Sequence, residues 1–258
     1  MAIHPTAIVD PDADVSREAE IGPYCVIGSA VTIGARTRLM AHVYLEGKLT
    51  IGKDNLFYPY SSCGVAPQDK KYKGEPSETR IGDRNSIREF VTIHRGTEGG
   101  GMVTSIGDGN LLMAYVHIAH DVIINNHTIL ANGVTFAGHV IVEDYANIGG
   151  LSAIHQFCRI GRHAIVGSYS VIKQNVLPFS ITAANHQVEV YGANKVGMER
   201  AGFSADAIEP LQNAFRTLTR AGLNTTQAIA RIEEEIPQTA EVKELLEFIR
   251  GSNRGFCK

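Results

Sequence analysis

Residues 106–172 read IGDGNLLMAYVHIAHDVIINNHTILANGVTFAGHVIVEDYANIGGLSAIHQFCRIGRHAIVGSYSVI, and every sixth residue of this stretch is apolar, beginning with its first. The same spacing runs through residues 3–63 and reappears over residues 81–93. A period of six fits neither an α-helix, which repeats every ~3.6 residues, nor a simple strand, which repeats every ~2. A short strand followed by a turn does fit, so the sequence predicts coils that stack around a continuous apolar core.

The composition of these hexads points to one kind of solenoid. A small or β-branched residue stands four positions after most of the early anchors, as Ala7, Ala13 and Val31 do. Such hexads resemble those of the left-handed parallel β-helix, in which three make one triangular coil. We therefore predict an all-β solenoid of this class, a left-handed parallel β-helix of hexapeptide repeats. The handedness comes from the resemblance, because the spacing alone also permits a right-handed coil.

The repeat also sets the expected domain boundaries. We predict the β-helix over residues 1–178, with loops inserted near 64–80 and 96–104, where the hexads are interrupted. After Pro178 the repeat stops and apolar residues at helical spacing follow. Residues 179–258 are therefore predicted to be a C-terminal segment that is mainly α-helical and caps one end of the solenoid.

Composition excludes several classes of protein. The 258 residues carry a formal net charge of -3, whereas general nucleic-acid binders usually have a dominant basic surface. No stretch approaches the ~20 apolar residues of a membrane span, and the first residues do not resemble a signal peptide, so we expect a cytoplasmic protein. The four cysteines form no C-x-x-C pair. They therefore suggest neither a zinc knuckle nor a disulfide framework, and we predict no metal site and no cofactor.

The segment His117-Ile118-Ala119-His120-Asp121 stands out, because Ile118 is an anchor of the repeat. Adding one coil of three hexads to His120 reaches Gly138, and adding another reaches Gln156, with His139 and His155 beside them in sequence. Neighbouring coils lie ~4.8 Å apart, so these residues are predicted to form a polar column. A histidine there can remove a hydroxyl proton, and a glycine amide can receive an oxyanion.

Two other interpretations of the histidines remain open from the residues alone. Corner histidines can simply bind turn carbonyl groups. They can also bind zinc, for which His94, His117 and His120 are the candidates, as in a trimeric γ-type carbonic anhydrase.

Longer motifs identify a family. The segments PQDKKYKGEP (67–76), IREFVTIHRGT (87–97), NLLMAYVHIAHD (110–121), HQFCRIG (155–161) and RAGFS (200–204) resemble the UDP-N-acetylglucosamine O-acyltransferases that begin lipid A biosynthesis. The resemblance covers essentially the whole chain. It implies transfer of an (R)-3-hydroxyacyl chain from acyl carrier protein to the 3-position of UDP-N-acetylglucosamine. It also implies a homotrimer with its active sites between subunits.

The resemblance assigns roles residue by residue. His120 matches the general base, Asp121 the residue that orients it, and Gly138 the oxyanion donor. The positions that match substrate contacts are Asp69, Lys71, His94, His117, His139, His155, Gln156, Asn194 and Arg200. Val196 and Ala201 depart from the family pattern at the nucleotide site, where many relatives have glutamate and a second arginine.

Two further expectations concern the acyl donor. Ser168 matches the position that limits acyl length, and a small side chain there predicts a hydroxyacyl chain nearer twelve or more carbons than ten. Acyl carrier protein is acidic, so a basic docking patch is expected. Its candidates are Arg159, Arg162, Lys173, Arg216 and Arg220.

Two competing functions can be weighed on sequence. A related N-acyltransferase of the same pathway carries an additional N-terminal uridine-binding domain, whereas the repeat here begins at Ile3. A non-catalytic scaffold would bind no UDP-sugar. The sequence favours the O-acyltransferase with direct attack on the thioester, in which Cys158 is a packing residue.

Overall fold

Short parallel strands stack into three flat sheets that form the faces of a triangular prism in this computed structural model, which describes residues 2–184 and 188–258. The first face contains Ala2–Ile3, Glu20–Ile21, Arg38–Leu39, Leu56–Phe57, Ser86–Ile87, Leu111–Leu112, Ile129–Leu130, Asn147–Ile148, Ile165–Val166, Ser180–Ala184 and Val188–Ala193. The second face contains Ile8–Val9, Val26–Ile27, Tyr44–Leu45, Ser62–Val65, Thr92–His94, His117–Ile118, Thr135–Phe136, Ala153–Ile154 and Val171–Ile172. The third face contains Asp14–Val15, Val31–Ile33, Lys48–Ile51, Glu78–Ile81, Val103–Ile106, Ile123–Ile124, Ile141–Val142 and Arg159–Ile160.

The strand register confirms the predicted period. Ile118 pairs with Phe136 and Phe136 with Ile154, so each coil advances by 18 residues. The prediction of a left-handed parallel β-helix of hexapeptide repeats is confirmed. Anchors such as Phe136 are fully buried, and burial of each large apolar side chain stabilises the fold by ~1.5–3 kcal/mol.

Two loops leave the coil between the second and third faces. Ile51 pairs with Ile81, 30 residues away, and Ile81 pairs with Ile106, 25 residues away. The first inserted loop spans 66–77 and the second spans 95–102, including the 3₁₀ turn Glu98–Gly100. Because the register resumes after each loop, the insertions leave the stacking of the coils intact.

Tight turns form the three corners of the prism. We call the edge between the first and second faces the first corner, that between the second and third faces the second corner, and the remaining edge the third corner. One residue at nearly every turn has a left-handed backbone, such as Tyr60 at the first corner, His139 at the second and His163 at the third. This conformation is costly for bulky residues, so the stacked coils must stabilise it.

At the third corner, buried asparagine side chains hydrogen-bond from coil to coil, before, between and after the two inserted loops. Asn85 donates its backbone N–H to Oδ1 of Asn55 at 2.9 Å, and Asn110 donates in the same way to Oδ1 of Asn85 at 2.9 Å. The side-chain amides of Asn55 and Asn85 also donate to the carbonyl oxygens of Gly82 and Gly107. These groups are buried and hydrogen-bonded, so they favour one register of the coils.

The C-terminal segment begins with strands before its helices. Ser180–Ala184 and Val188–Ala193 pair antiparallel and extend the first face. The helical spacing of this segment did not predict this hairpin. The helices follow at Lys195–Arg200, Ala205–Arg220, Thr225–Glu235 and Ala240–Arg250. The last of them packs on the final coil, where Arg159 lies over the ring of Phe248 and Arg162 pairs with Glu244 at 2.7 Å. In the described part of the chain, no helix has both the length and the apolarity needed to cross a bilayer.

Candidate active site

His120 and Asp121 lie at the second corner, directly after the strand His117–Ile118. Nδ1 of His120 donates to Oδ2 of Asp121 at 2.8 Å, while the His120 side chain keeps 17% of its surface exposed. The Asp121 side chain is fully buried and accepts two further hydrogen bonds from Thr97, by its amide at 2.8 Å and its hydroxyl at 2.5 Å. A buried carboxylate with three donors is well satisfied, so it can hold the His120 ring in one orientation and one tautomer.

Gly138 lies against the His120 ring on the next coil. A β-carbon at this position would be 2.5 Å from Cε1 and 2.9 Å from Nε2 of His120, closer than such atoms approach. Only glycine therefore leaves room for the ring. Among the described residues, no acceptor is found for the amide N–H of Gly138, which is left free at this turn.

His139 completes a compact polar cluster at the same corner. Its ring meets His120 edge to face at 5.2 Å and stacks on Phe157 at 4.5 Å. Burial lowers the pKa of His139, and the nearby Asp121 carboxylate opposes this shift. Ligand atoms of His120, Asp121 and His139 lie within 4.8 Å of one another, which is metal-site spacing. Both Asp121 oxygens and Nδ1 of His120 are already used in hydrogen bonds, so the cluster fits a proton-transfer site better than a metal site.

His94 and His117 lie side by side on the second face, one coil apart. Their rings meet at 82° with centroids 4.9 Å apart, and Nδ1 of His117 lies 2.7 Å from the hydroxyl oxygen of Thr92. His94 is buried, and nothing in the described part of the chain binds its Nδ1. Burial and the neighbouring histidines lower the pKa of His94 to about 4, so it is neutral at physiological pH. Burial also lowers the pKa of His117.

A cavity of about 530 Å³ lies over the second face, and most residues of the predicted polar column line it. His155 and Gln156 are exposed at its edge, one coil above Gly138. Arg254 of the C-terminal tail reaches Nδ1 of His155 at 3.3 Å. The cavity walls are formed by Gln68, His94, His117, Ala119, His120, Thr135, Phe136, Ala137, Gly138, Ala153, Ile154, His155, Gln156, Val171 and Lys173.

A second cavity, of about 830 Å³, lies between the second corner and the two inserted loops. Asp69 and Lys71 of the first inserted loop line it together with His139 and Phe157. Asp69 accepts the backbone N–H of Lys71 at 2.9 Å, which orders the turn that carries both charges. Asp69 and Lys71 of the loop therefore line a different cavity from the one that His120, Gly138, His155 and Gln156 line.

Asn194 and Arg200 lie elsewhere in the chain. Asn194 is buried at the start of the helix Lys195–Arg200, where it accepts the N–H of Gly197 at 3.0 Å and donates to the carbonyl oxygen of His163 at 3.0 Å. His163 belongs to the third corner, so Asn194 lies at a different edge of the prism from His120. Arg200 is exposed at the end of the same helix.

The remaining candidates are spread over the late coils and the helices. Ser168 is exposed at the first corner, at the opposite edge of the second face from His120. Arg159 and Arg162 pair with Glu143 and Glu244 on the third side of the prism, so their charges are already compensated. Lys173 lines the His120 cavity, and Arg216 and Arg220 border a smaller cavity beside the hairpin.

Two threonines of the site were missed in the sequence. Thr92 pairs in register with His117, a relation that the 25-residue step across the second loop could have revealed. Thr97 belongs to the loop itself, where no register predicts which atoms will meet.

Comparisons with known proteins place the chain in a family. A model of UDP N-acetylglucosamine O-acyltransferase, domain 2, matches residues 175–257, and a bacterial transferase hexapeptide model matches residues 104–138. The chain is 50% identical over 256 residues to an acyl-[acyl-carrier-protein]–UDP-N-acetylglucosamine O-acyltransferase of Thermodesulfovibrio yellowstonii, covering 99% of both chains. It is 46% identical over 260 residues to the protein of the same name from a Janthinobacterium species, again covering 99% of both.

A solved structure agrees over the entire length. The crystal structure of UDP-N-acetylglucosamine O-acyltransferase from Moraxella catarrhalis is 42% identical, covers 100% of both chains and has a TM-score of 0.95. Similarity at this level extends over the β-helix, both inserted loops and the helices. The chain therefore belongs to the acyl-[acyl-carrier-protein]–UDP-N-acetylglucosamine O-acyltransferase family of acyltransferases.

Proposed function

We propose that this protein transfers an (R)-3-hydroxyacyl chain from acyl carrier protein to the 3-hydroxyl of UDP-N-acetylglucosamine, the first step of lipid A biosynthesis. The names of its relatives support this donor and acceptor. The observation that carries the mechanism is the His120–Asp121 pair, in which a fully buried carboxylate holds Nδ1 of a histidine that lines a cavity.

His120 is the general base in this proposal. Because Nδ1 keeps its proton for Asp121, Nε2 carries a free lone pair and can accept the proton of the sugar hydroxyl. The hydroxyl oxygen then attacks the thioester carbonyl carbon directly. General-base catalysis of this kind contributes ~10²–10⁴-fold to the rate.

Gly138 stabilises the oxyanion that the attack creates. Its amide has no acceptor among the described residues and lies on the coil next to the His120 ring, so it is available to a substrate oxygen. When the tetrahedral intermediate collapses, the carbon–sulfur bond breaks and its electron pair goes to sulfur. The His120 imidazolium then returns the proton to that sulfur, and the carrier protein leaves with a free thiol.

No covalent acyl-enzyme is required. The cysteine nearest to His120 in the sequence is Cys158. Its side chain is 1% exposed, and burial raises the pKa of its thiol. A buried, protonated thiol is a poor nucleophile. This supports the role of Cys158 in packing and a single direct transfer.

Residues of both cavities contact the UDP-sugar substrate in this proposal. We assign sugar and phosphate contacts to Asp69, Lys71 and His139 in the cavity beside the inserted loops. We assign further contacts to His117, His155 and Gln156 in the cavity over the second face. His94 supports His117 from within the second face. Neutral imidazoles can both donate and accept, which suits the hydroxyl groups of a sugar.

A homotrimer with sites between subunits accounts for the distant residues. Asn194 and Arg200 lie at a different edge from His120, so they can take part in nucleotide binding only across an interface with a second copy. Val196 and Ala201 are exposed on or next to the same helix and offer no charge, which predicts weaker phosphate contacts than in many relatives.

Ser168 is proposed to set the acyl length. It lies at the far edge of the second face, where a chain extending from the His120 cavity would end, and its small side chain leaves that path open. We expect a preference for twelve or more carbons in a series of acyl carrier protein thioesters. A strict preference for ten carbons would refute this assignment.

Replacing the base tests the reaction. His120→Ala should abolish transfer, measured by mass spectrometry with UDP-N-acetylglucosamine and its 3-amino analogue as acceptors, while light scattering still reports the trimer. His127→Ala is the matched control, since His127 is an exposed corner histidine that stacks on Tyr145 at the third corner. Substantial residual transfer by the His120 variant would remove it as the base.

A further inference from the structure

The second inserted loop covers the Asp121 carboxylate. Thr97 is 5% exposed and binds both oxygens of Asp121, with its backbone N–H on Oδ1 at 2.8 Å and its hydroxyl on Oδ2 at 2.5 Å. The backbone N–H of Asp121 in turn donates to the hydroxyl of Thr104 at 2.8 Å. Oδ2 is also the oxygen that accepts Nδ1–H of His120, so the Thr97 hydroxyl and the His120 ring meet on one atom.

The loop holds Thr97 in place by its own hydrogen bonds. The amides of Gly100 and Met102 both donate to the carbonyl oxygen of Thr97, at 3.1 and 2.9 Å. Gly100 packs so closely on Asp121 that a β-carbon there would lie 1.9 Å from its carboxyl carbon. The carboxylate is thereby closed off on the side of the loop.

The insertion supplies donors that a regular coil does not have. One and two coils above Asp121, the same corner position holds His139 and Phe157, whose rings stack on each other. Phe157 is 51% exposed at this position, so an acid there would also be open to solvent without the loop. The 25-residue step at this point brings Thr97 over Asp121 instead.

We infer that Thr97 is a positioning residue for the transfer reaction, which fixes the Asp121 carboxylate and through it the His120 ring. The inference rests on the proposed role of His120. The Thr97 hydroxyl occupies one lone pair of Oδ2 and leaves the other directed at Nδ1 of His120. Without it, the carboxylate can turn toward other partners, and small displacements of a base lower the rate steeply.

Removing the hydroxyl alone tests this role. Thr97→Val keeps the side-chain shape and the backbone bond, and we expect kcat to fall ~10–100-fold with KM for both substrates unchanged. Thr97→Ser restores the hydroxyl and should restore most of kcat. Thr37→Val is the matched control, since Thr37 is also fully buried and its hydroxyl donates to the carbonyl of Gly52 at 2.8 Å, at the third corner.

A double substitution separates positioning from a general loss of stability. If Thr97 acts through Asp121, adding Thr97→Val to Asp121→Asn should lower kcat little further, whereas independent effects would multiply. An unchanged kcat for Thr97→Val, or a loss no greater than that of Thr37→Val, would overturn the inference while leaving His120 as the base. Full activity of His120→Ala would instead overturn the proposed function.

Discussion

The first corner of the prism and the late coils of its second corner share a left-handed turn residue and differ in chemistry. Along the first corner, Tyr24, His42, Tyr60, Phe90 and Tyr115 stack face to face with centroids 4.9–5.1 Å apart. Along the second corner, the stack of His139 on Phe157 ends at Asp121, and His120 meets His139 edge to face. The first corner carries an aromatic ladder from Tyr24 to Tyr115, which ends at Gly133 on the next coil, and the second corner contains a buried acid.

The contrast shows what turns a corner histidine into a candidate base. His42 has the same left-handed backbone as His139 but lies between two tyrosine rings, and no carboxylate binds it in the described part of the chain. His120 has a carboxylate partner, and the second inserted loop buries that partner. The coil sets where side chains are placed, while the insertion supplies the electrostatic environment.

Asp121→Asn should remove the chemical difference between the two corners most completely. An asparagine can accept the hydrogen bond of the Thr97 amide only with its oxygen in the Oδ1 position, which turns its NH₂ group toward Nδ1 of His120. Nδ1 would then have to accept a hydrogen bond, so the ring proton would lie on Nε2. Nε2 could no longer take the proton of the sugar hydroxyl. We expect kcat to fall ~10³-fold or more, with a structure unchanged by circular dichroism. Asp54→Asn is the matched control, because Asp54 is a corner acid with φ of 59° that binds Arg36 at the third corner. A wild-type rate for Asp121→Asn would contradict the proposed orientation of His120.

Gly138→Ala should disturb the same corner through packing. The added β-carbon would displace the His120 ring, since it would lie 2.5 Å from Cε1, and we expect kcat to fall ~10–100-fold. Gly28→Ala provides the comparison, because its β-carbon would meet its nearest neighbour at 3.5 Å. Equal effects of the two alanines on kcat would show that the close contact with His120 has no catalytic consequence.

His94 should make the second face sensitive to acid. Its pKa is about 4 in the folded protein, against 6.5 for the free side chain, so the unfolded chain binds a proton in this window that the folded chain does not. Its contribution therefore lowers the free energy of unfolding as the pH falls from 6.5 toward 4, by up to ~3 kcal/mol. Urea unfolding of the protein and of His94→Gln at pH 7 and pH 5 measures this, and equal losses in both proteins would exclude it.

His42→Phe should have the smallest effect. A phenyl ring can keep the stack between Tyr24 and Tyr60, so we expect an unchanged kcat and a free energy of unfolding within ~1 kcal/mol of the original. Steady-state rates and urea unfolding check both. A large fall in kcat would mean that the first corner also takes part in the reaction.

The column of the site was open to prediction because it follows the repeat. Position 138 is one coil from His120, and the structure indeed packs Gly138 on the His120 ring. Asn194 was not open to prediction in this way, because its buried bonds at the third corner depend on how the helical segment folds back on the last coils. The hairpin before that helix could not be predicted either, because its strands lack the six-residue period.

The sequence by itself determined the β-helix, its register and the placement of His120, Gly138 and Gln156, because a short local period repeats the same contacts at every coil. The family resemblance paired His120 with Asp121, but only the tertiary structure decided that this carboxylate is buried and which groups hold it. That partnership depends on Thr97 and Gly100 in a loop without periodicity, whose atoms meet Asp121 across 24 and 21 positions of sequence. Contacts of this kind follow from the fold of the whole chain, and they distinguish the aromatic ladder of the first corner from the candidate active site of the second.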